Sequence, residues 1–208
     1  MTRFAGLTVA QLLDTLASPD PTPGGGTASA IAGAMGTSLL IMVTGLAKSK
    51  TNTADEKAAL GAARLALEPL RAELMRLADA DSDAFGQVMA AYRRPKATDE
   101  EKAARSSAIQ TALRQATVVP LETLRACAAA MPLAAQVAEA GNRSAASDVG
   151  VAVGLLEAAA AGAEANVRIN LDGLKDEGFN ANVLSEASRL AAETAAAARA
   201  ARQALAGW

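Results

Sequence analysis

The sequence predicts an all-α fold, an orthogonal or up-down helical bundle with long central helices, assembled as an oligomer. Three observations carry that expectation. Half the residues are apolar but only 2% are aromatic. Alanine, the best helix former and a side chain small enough for helix axes to approach closely, supplies most of the apolar content. No segment sustains the period-two alternation of a β-strand. Small side chains also bury little area each, so a thin bundle gains by covering a further face with a second copy. The 208 residues fit one domain over 1–208.

The elements follow in order. Thr8 with Gln11 forms a capping box that opens a short amphipathic helix through Ala17. Ser18 to Gly26, with three prolines and three glycines, reads as a loop. An uncharged helix is expected from about Thr27 to Ala47, with Lys48 and Lys50 placed favourably at its C-terminal end. The next helical region covers about Ala54 to Tyr92, broken or bent at Pro69. After the loop Arg94-Pro95-Lys96, Thr98 and Glu101 cap a helix towards Met131 that Pro120 should kink. Pro132 then opens a short helix that Gly141 ends. Two further helices are expected, about Arg143 to Leu171 and about Asn180 to Leu205.

Composition also bounds the function. Formal net charge is −2 with acids and bases interspersed, and no basic patch is interleaved with aromatics, so nucleic acid is a poor partner. The chain has no histidine and one cysteine, Cys127. It therefore lacks the commonest general base, every Ser-His or Cys-His nucleophile and any multi-thiolate metal site. No metal is expected. Proton chemistry must come from Asp, Glu, Lys, Tyr or water. Met1 to Asp20 lacks a basic region followed by a long apolar core, which leads us to expect a cytoplasmic protein. The uncharged stretch Pro21 to Ala47 is long enough to span a bilayer, yet its glycines and hydroxyls suit a buried central helix better. No membrane association is expected.

Two acids sit on otherwise apolar helix faces. Leu70, Leu74, Leu77, Asp81, Ala84, Val88 and Ala91 form one stripe. Asp79 and Asp83 share a different, wetter face. A carboxylate held among leucines has the raised pKa that a general acid/base needs, but the same pattern suits an aspartate buried to bond a neighbouring helix. Asp148 lies on a stripe with Ala152, Leu155, Ala159, Gly162 and Asn166, and Asn170 follows one turn later. Its small neighbours leave room for a ligand or for another helix. The run Gly24-Gly25-Gly26 before the uncharged helix suits either an anion at a helix N-terminus or a plain turn. It is neither a Walker A loop nor a dinucleotide fingerprint. Cys127 reads as a small packed apolar residue.

Seven ordered segments together resemble the cyclodeaminase domain of formiminotransferase-cyclodeaminase and its stand-alone cyclohydrolase relatives. They are Pro-Thr-Pro-Gly-Gly-Gly at 21–26, Asp-Ser-Asp-Ala-Phe at 81–85, Tyr-Arg-Arg-Pro-Lys at 92–96, Val-Pro-Leu at 119–121, Gly-Asn at 141–142, Ser-Asp-Val-Gly-Val-Ala at 147–152 and Asn-Val-Arg-Ile-Asn at 166–170. The resemblance implies an all-helical homodimer with a folate cleft near the subunit interface. It implies that Gly24, Gly25 and Gly26 border the substrate, that Asp81 and Asp148 are catalytic, and that Lys96, Asn142, Asn166 and Asn170 contact the folate. Thr27 stands where many relatives carry serine, and Arg94 where a smaller apolar residue is common.

The activity so implied is hydrolysis of 5,10-methenyltetrahydrofolate to 10-formyltetrahydrofolate, with no cofactor beyond the tetrahydrofolate substrate. The bridging carbon belongs to a cationic amidinium and is already electrophilic. Asp81 would take a proton from water and later protonate N5, while Asp148 stabilises the cation or orients the water. Asn142, Asn166 and Asn170 would bond the pterin and amide edges, and Lys96 would meet a glutamate tail. The alternatives are cyclodeamination of formiminotetrahydrofolate with release of ammonia, and a helical scaffold without catalysis.

Overall fold

The computed structural model of the chain describes residues 4–46 and 52–207. Six α-helices account for most of them: α1 (Val9–Ala17), α2 (Gly25–Thr44), α3 (Ala54–Tyr92), α4 (Asp99–Ala140), α5 (Ala146–Leu171) and α6 (Glu177–Ala206). Short 3-10 turns at Phe4–Gly6 and Arg143–Ala145 precede α1 and α5. No strand occurs among the described residues.

The two expected capping boxes, at Thr8 and Thr98, form, and a third, unexpected one caps α3 at Thr53. Thr8, Thr53 and Thr98 each accept a bond from the residue three positions on, and Gln11, Glu56 and Glu101 reach back to the cap amide. Asp176 caps α6 by accepting the Phe179 N–H at 2.9 Å, so that helix starts three residues before the expected Asn180. Lys48, Lys50 and the expected end of α2 at Ala47 lie outside the described residues.

One proline, Pro132, behaves differently from the expectation. Pro69 lies inside one continuous α3, and Pro120 and Pro132 both lie inside one continuous α4. No new helix starts at Pro132. A proline costs a helix one donor to the carbonyl four residues back. For Pro120 that carbonyl belongs to Ala116, and the Asn170 side-chain amide donates to it at 2.7 Å. A neighbouring helix thus supplies the missing bond, and packing on both sides carries α4 through the proline.

The neighbouring long helices run up and down. Gly33 of α2 lies beside Leu74 of α3, and Gly45 beside Arg64, which sets these two antiparallel. Ser29 of α2 lies against Gly162 of α5, and Gly36 against Ala152, so this pair is antiparallel too. At Gly36 the approach is to backbone: a Cβ there would sit 2.8 Å from the Ala152 carbonyl oxygen. Helix α4 packs on α2, α3, α5 and α6. Leu40, Leu67, Leu74, Leu124, Met131 and Leu156 are fully buried between them.

Gly25–Thr44, Asp99–Ala140 and Arg143–Leu171 are long and apolar enough to cross a membrane by length and composition. Here α2, α4 and α5 pack against one another, and α2 buries Ala30, Leu40 and Val43 in the bundle.

Candidate active site

The inward stripe of α3 places Asp81. Leu74, Leu77, Ala84, Val88 and Ala91 of that stripe are buried, and the half-buried Asp81 shares their face. Opposite it is the start of α2. Helix α2 begins at Gly25, so Gly25 and Gly26 form its first turn rather than belonging to the preceding loop, and Gly24 is the N-cap. This start depends on Gly26 having no side chain. A Cβ there would collide with both oxygens of the Asp81 carboxylate and with its Cγ, even the farther oxygen, Oδ2, lying only 2.7 Å away.

Thr27 holds the carboxylate from the same turn. Its hydroxyl donates to Asp81 Oδ2 at 2.9 Å, and its backbone N–H also points to the carboxylate. The anion at the N-terminus of α2 is therefore Asp81 itself. Burial holds the Asp81 carboxyl above its ordinary pKa, and the Thr27 hydroxyl and N–H act in the opposite direction. The balance leaves a carboxyl ready to gain and lose a proton nearer neutral pH.

Asn166 closes the other side. A Cβ at the exposed Gly25 would lie 3.6 Å from Asn166 Nδ2, and that amide donates to the Gly162 carbonyl at 2.8 Å. Gly24 to Gly26 thus lie between Asp81 of α3 and Asn166 of α5. Asn170, one turn beyond Asn166, uses its amide on Ala116.

The remaining expected residues are not brought to this end within one subunit. Asp148 lies in the first turn of α5, about 27 Å along the helix from Asn166 at 1.5 Å per residue. Between them the small-residue stripe packs on α2 at Ala152, Leu155 and Gly162, so its small side chains admit a helix rather than a ligand. Asn142 precedes α5 and caps the 3-10 turn by accepting the Ser144 N–H at 3.0 Å. Lys96 is exposed in the loop after α3, more than about 15 Å along the chain axis from Asp81.

Asp79 and Asp83 occupy the wetter face as expected. They line a cleft of about 740 Å³ with Phe4, Thr22, Arg76 and Ser82, and Asp79 accepts the Phe4 N–H at 2.9 Å. Thr22 and Ser82 fall within the 21–26 and 81–85 segments, but nothing in their residue type singles them out there, since hydroxyl residues are common in loops and helices alike. Cys127 is buried, and burial pushes its thiol up to about 12.

The site is thus a protonatable carboxyl against a glycine-opened helix start, flanked by a carboxamide, in an all-helical chain without histidine. The comparisons identify its kind: residues 8–189 match the formiminotransferase-cyclodeaminase family model, and the chain belongs to that family. It is 46% identical over 189 residues to the methenyltetrahydrofolate cyclohydrolase of Methylorubrum extorquens, spanning 91% of each chain. It is 35% identical to the formimidoyltransferase-cyclodeaminase of Sus scrofa over 82% of this chain but 32% of that longer enzyme. The crystal structure of formiminotetrahydrofolate cyclodeaminase from Thermotoga maritima superposes with a TM-score of 0.86 at 30% identity, covering 98% of both chains.

Proposed function

We propose that this protein hydrolyses 5,10-methenyltetrahydrofolate to 10-formyltetrahydrofolate in the cytoplasm, with Asp81 as the general acid/base. The observation that carries the reading is the Asp81 carboxyl, raised in pKa by burial and held by Thr27 against Gly26. Similarity to the Methylorubrum cyclohydrolase along 91% of both chains supports the choice of reaction. Water attacks the cationic bridging carbon and gives a proton to Asp81. The same carboxyl protonates N5 as the carbon–N5 bond breaks, and the remaining hydroxyl proton leaves to form the formyl group. Asn166 and the first-turn backbone at Gly25 would border the pterin.

The working unit in this reading is a homodimer. Exposed Met35, Met42 and Val151, with Ile31 and Leu155, line an apolar groove of about 760 Å³ formed by α2, α3 and α5. Asp148 and Asn142 lie at the far end of the subunit from Asp81. They reach an Asp81 site only as a second copy's contribution, and Lys96 would meet the glutamate tail beyond the pterin.

The Thermotoga structure favours a second reading, cyclodeamination of formiminotetrahydrofolate. Offering each substrate separately distinguishes the two. Loss of the methenyl chromophore without ammonia supports the hydrolase, whereas ammonia from the formimino substrate alone supports the deaminase.

A further inference from the structure

The hydrolysis proposed above releases one proton per turnover. Water brings two: one ends on N5, and the other must leave as the carbinol O–H becomes the formyl carbonyl. Asp81, facing the apolar side of α3 and the start of α2, is the group that collects it.

A line of hydroxyls runs from Asp81 to the other face of α3. Thr27 Oγ1 lies 2.9 Å from Asp81 Oδ2. Ser82 Oγ lies 3.2 Å from Thr27 Oγ1, and Thr22 Oγ1 lies 2.8 Å from Ser82 Oγ. Thr27 is fully buried and Ser82 is 5% exposed, whereas Thr22 is half-buried. Both Thr22 and Ser82 line the cleft that holds Asp79 and Asp83. The chain thus starts at the half-buried Asp81 carboxyl and ends in a cleft with two further carboxylates.

We propose that Thr27, Ser82 and Thr22 form a proton relay through which Asp81 discharges to the Asp79–Asp83 cleft, separate from the face on which folate binds. Protonated Asp81 donates to Thr27 Oγ1, the Thr27 proton passes to Ser82 Oγ, and the Ser82 proton passes to Thr22 Oγ1. Thr22 releases its own proton to cleft water, and three hydroxyl rotations reset the line. No bond other than O–H forms or breaks. Each hydroxyl has one proton to give and lone pairs to receive one, which is what a relay requires. Thr22 and Ser82 act through Asp81 and are positioning residues.

The relay rests on the hydrolase reading for its purpose but is testable without substrate. Solvent exchange of the Thr27 hydroxyl proton, followed by NMR, should slow at least about tenfold in Thr22→Val and recover in Thr22→Ser. In turnover, Thr22→Val should lower kcat about tenfold with KM unchanged, and a small buffer such as formate should restore kcat. Ser82→Ala should behave as Thr22→Val does. Unchanged Thr27 exchange overturns the relay, as does a kcat loss that buffer does not restore or a Thr22→Val enzyme with full kcat. Slowed exchange in a protein that does not accelerate methenyltetrahydrofolate decay leaves the relay standing and rejects the hydrolase reading instead.

Discussion

The Asn170 side chain donates at 2.7 Å to the carbonyl of Ala116, the oxygen that Pro120 leaves without its helical donor. A residue expected to contact folate is therefore also a structural bond between α5 and α4. Asn170→Ala should destabilise the fold by about 1–2 kcal/mol, the cost of leaving a part-buried carbonyl unsatisfied, and the double variant with Pro120→Ala should recover most of that loss. Chemical denaturation of the three variants tests this coupling. Equal destabilisation with and without Pro120 would show that the bond does not compensate the proline.

Gly26 and Gly36 both stand where a neighbour comes close, but against different things. A Cβ at Gly26 meets the Asp81 carboxylate, and one at Gly36 meets the Ala152 backbone and the Leu156 side chain. Gly26→Ala should displace Asp81 and lower kcat about 100-fold, as misplacement of a reacting group by about 1 Å does. Gly36→Ala should chiefly lower Tm. Kinetics and thermal unfolding on both variants separate the effects, and a Gly26→Ala enzyme with full kcat would remove Asp81 from the chemistry.

The raised Asp81 pKa also links stability to pH. Its folded value lies above the ordinary 3.8 because of burial, so the neutral form is the one the fold favours. The associated stability is fully present below the unfolded pKa and is lost as pH rises through the folded value. Asp81→Asn should therefore gain Tm over wild type at pH 7, and the gain should shrink towards pH 3. A constant Tm difference across that range would show that burial does not perturb Asp81.

Asp81 and Asp148 lie too far apart along α3 and α5 to meet within one subunit, which gives the dimer a direct test. Mixing Asp81→Asn with Asp148→Asn chains, after unfolding and refolding together, should restore about a quarter of wild-type activity, since half the dimers are hybrids with one intact site each. A mixture as inactive as its parents would leave Asp148 outside the Asp81 site.

The sequence made the helices legible wherever one residue decides the local geometry. Thr8 and Thr98 form their caps with Gln11 and Glu101, and the Leu74–Asp81–Val88 stripe faces inward. It failed where the deciding atom is distant in the chain. Nothing near Pro120 announces Asn170, and nothing near Gly26 announces the carboxylate that requires it to be glycine. The same limit applies to the site. Periodicity singled out Asp81, but could not place Asp148 at the opposite end of the bundle or join Thr22 to Ser82, sixty positions along the chain.

The measurement that bears most directly on the central claim is the decay of 5,10-methenyltetrahydrofolate absorbance with wild type and with Asp81→Asn, across a range of pH. The account predicts decay well above the uncatalysed rate, kcat/KM rising with pH through a value above the ordinary carboxylate range, and a loss of about 100-fold or more in Asp81→Asn. Full activity in Asp81→Asn would contradict the assignment of Asp81, and no acceleration by wild type would contradict the reaction itself.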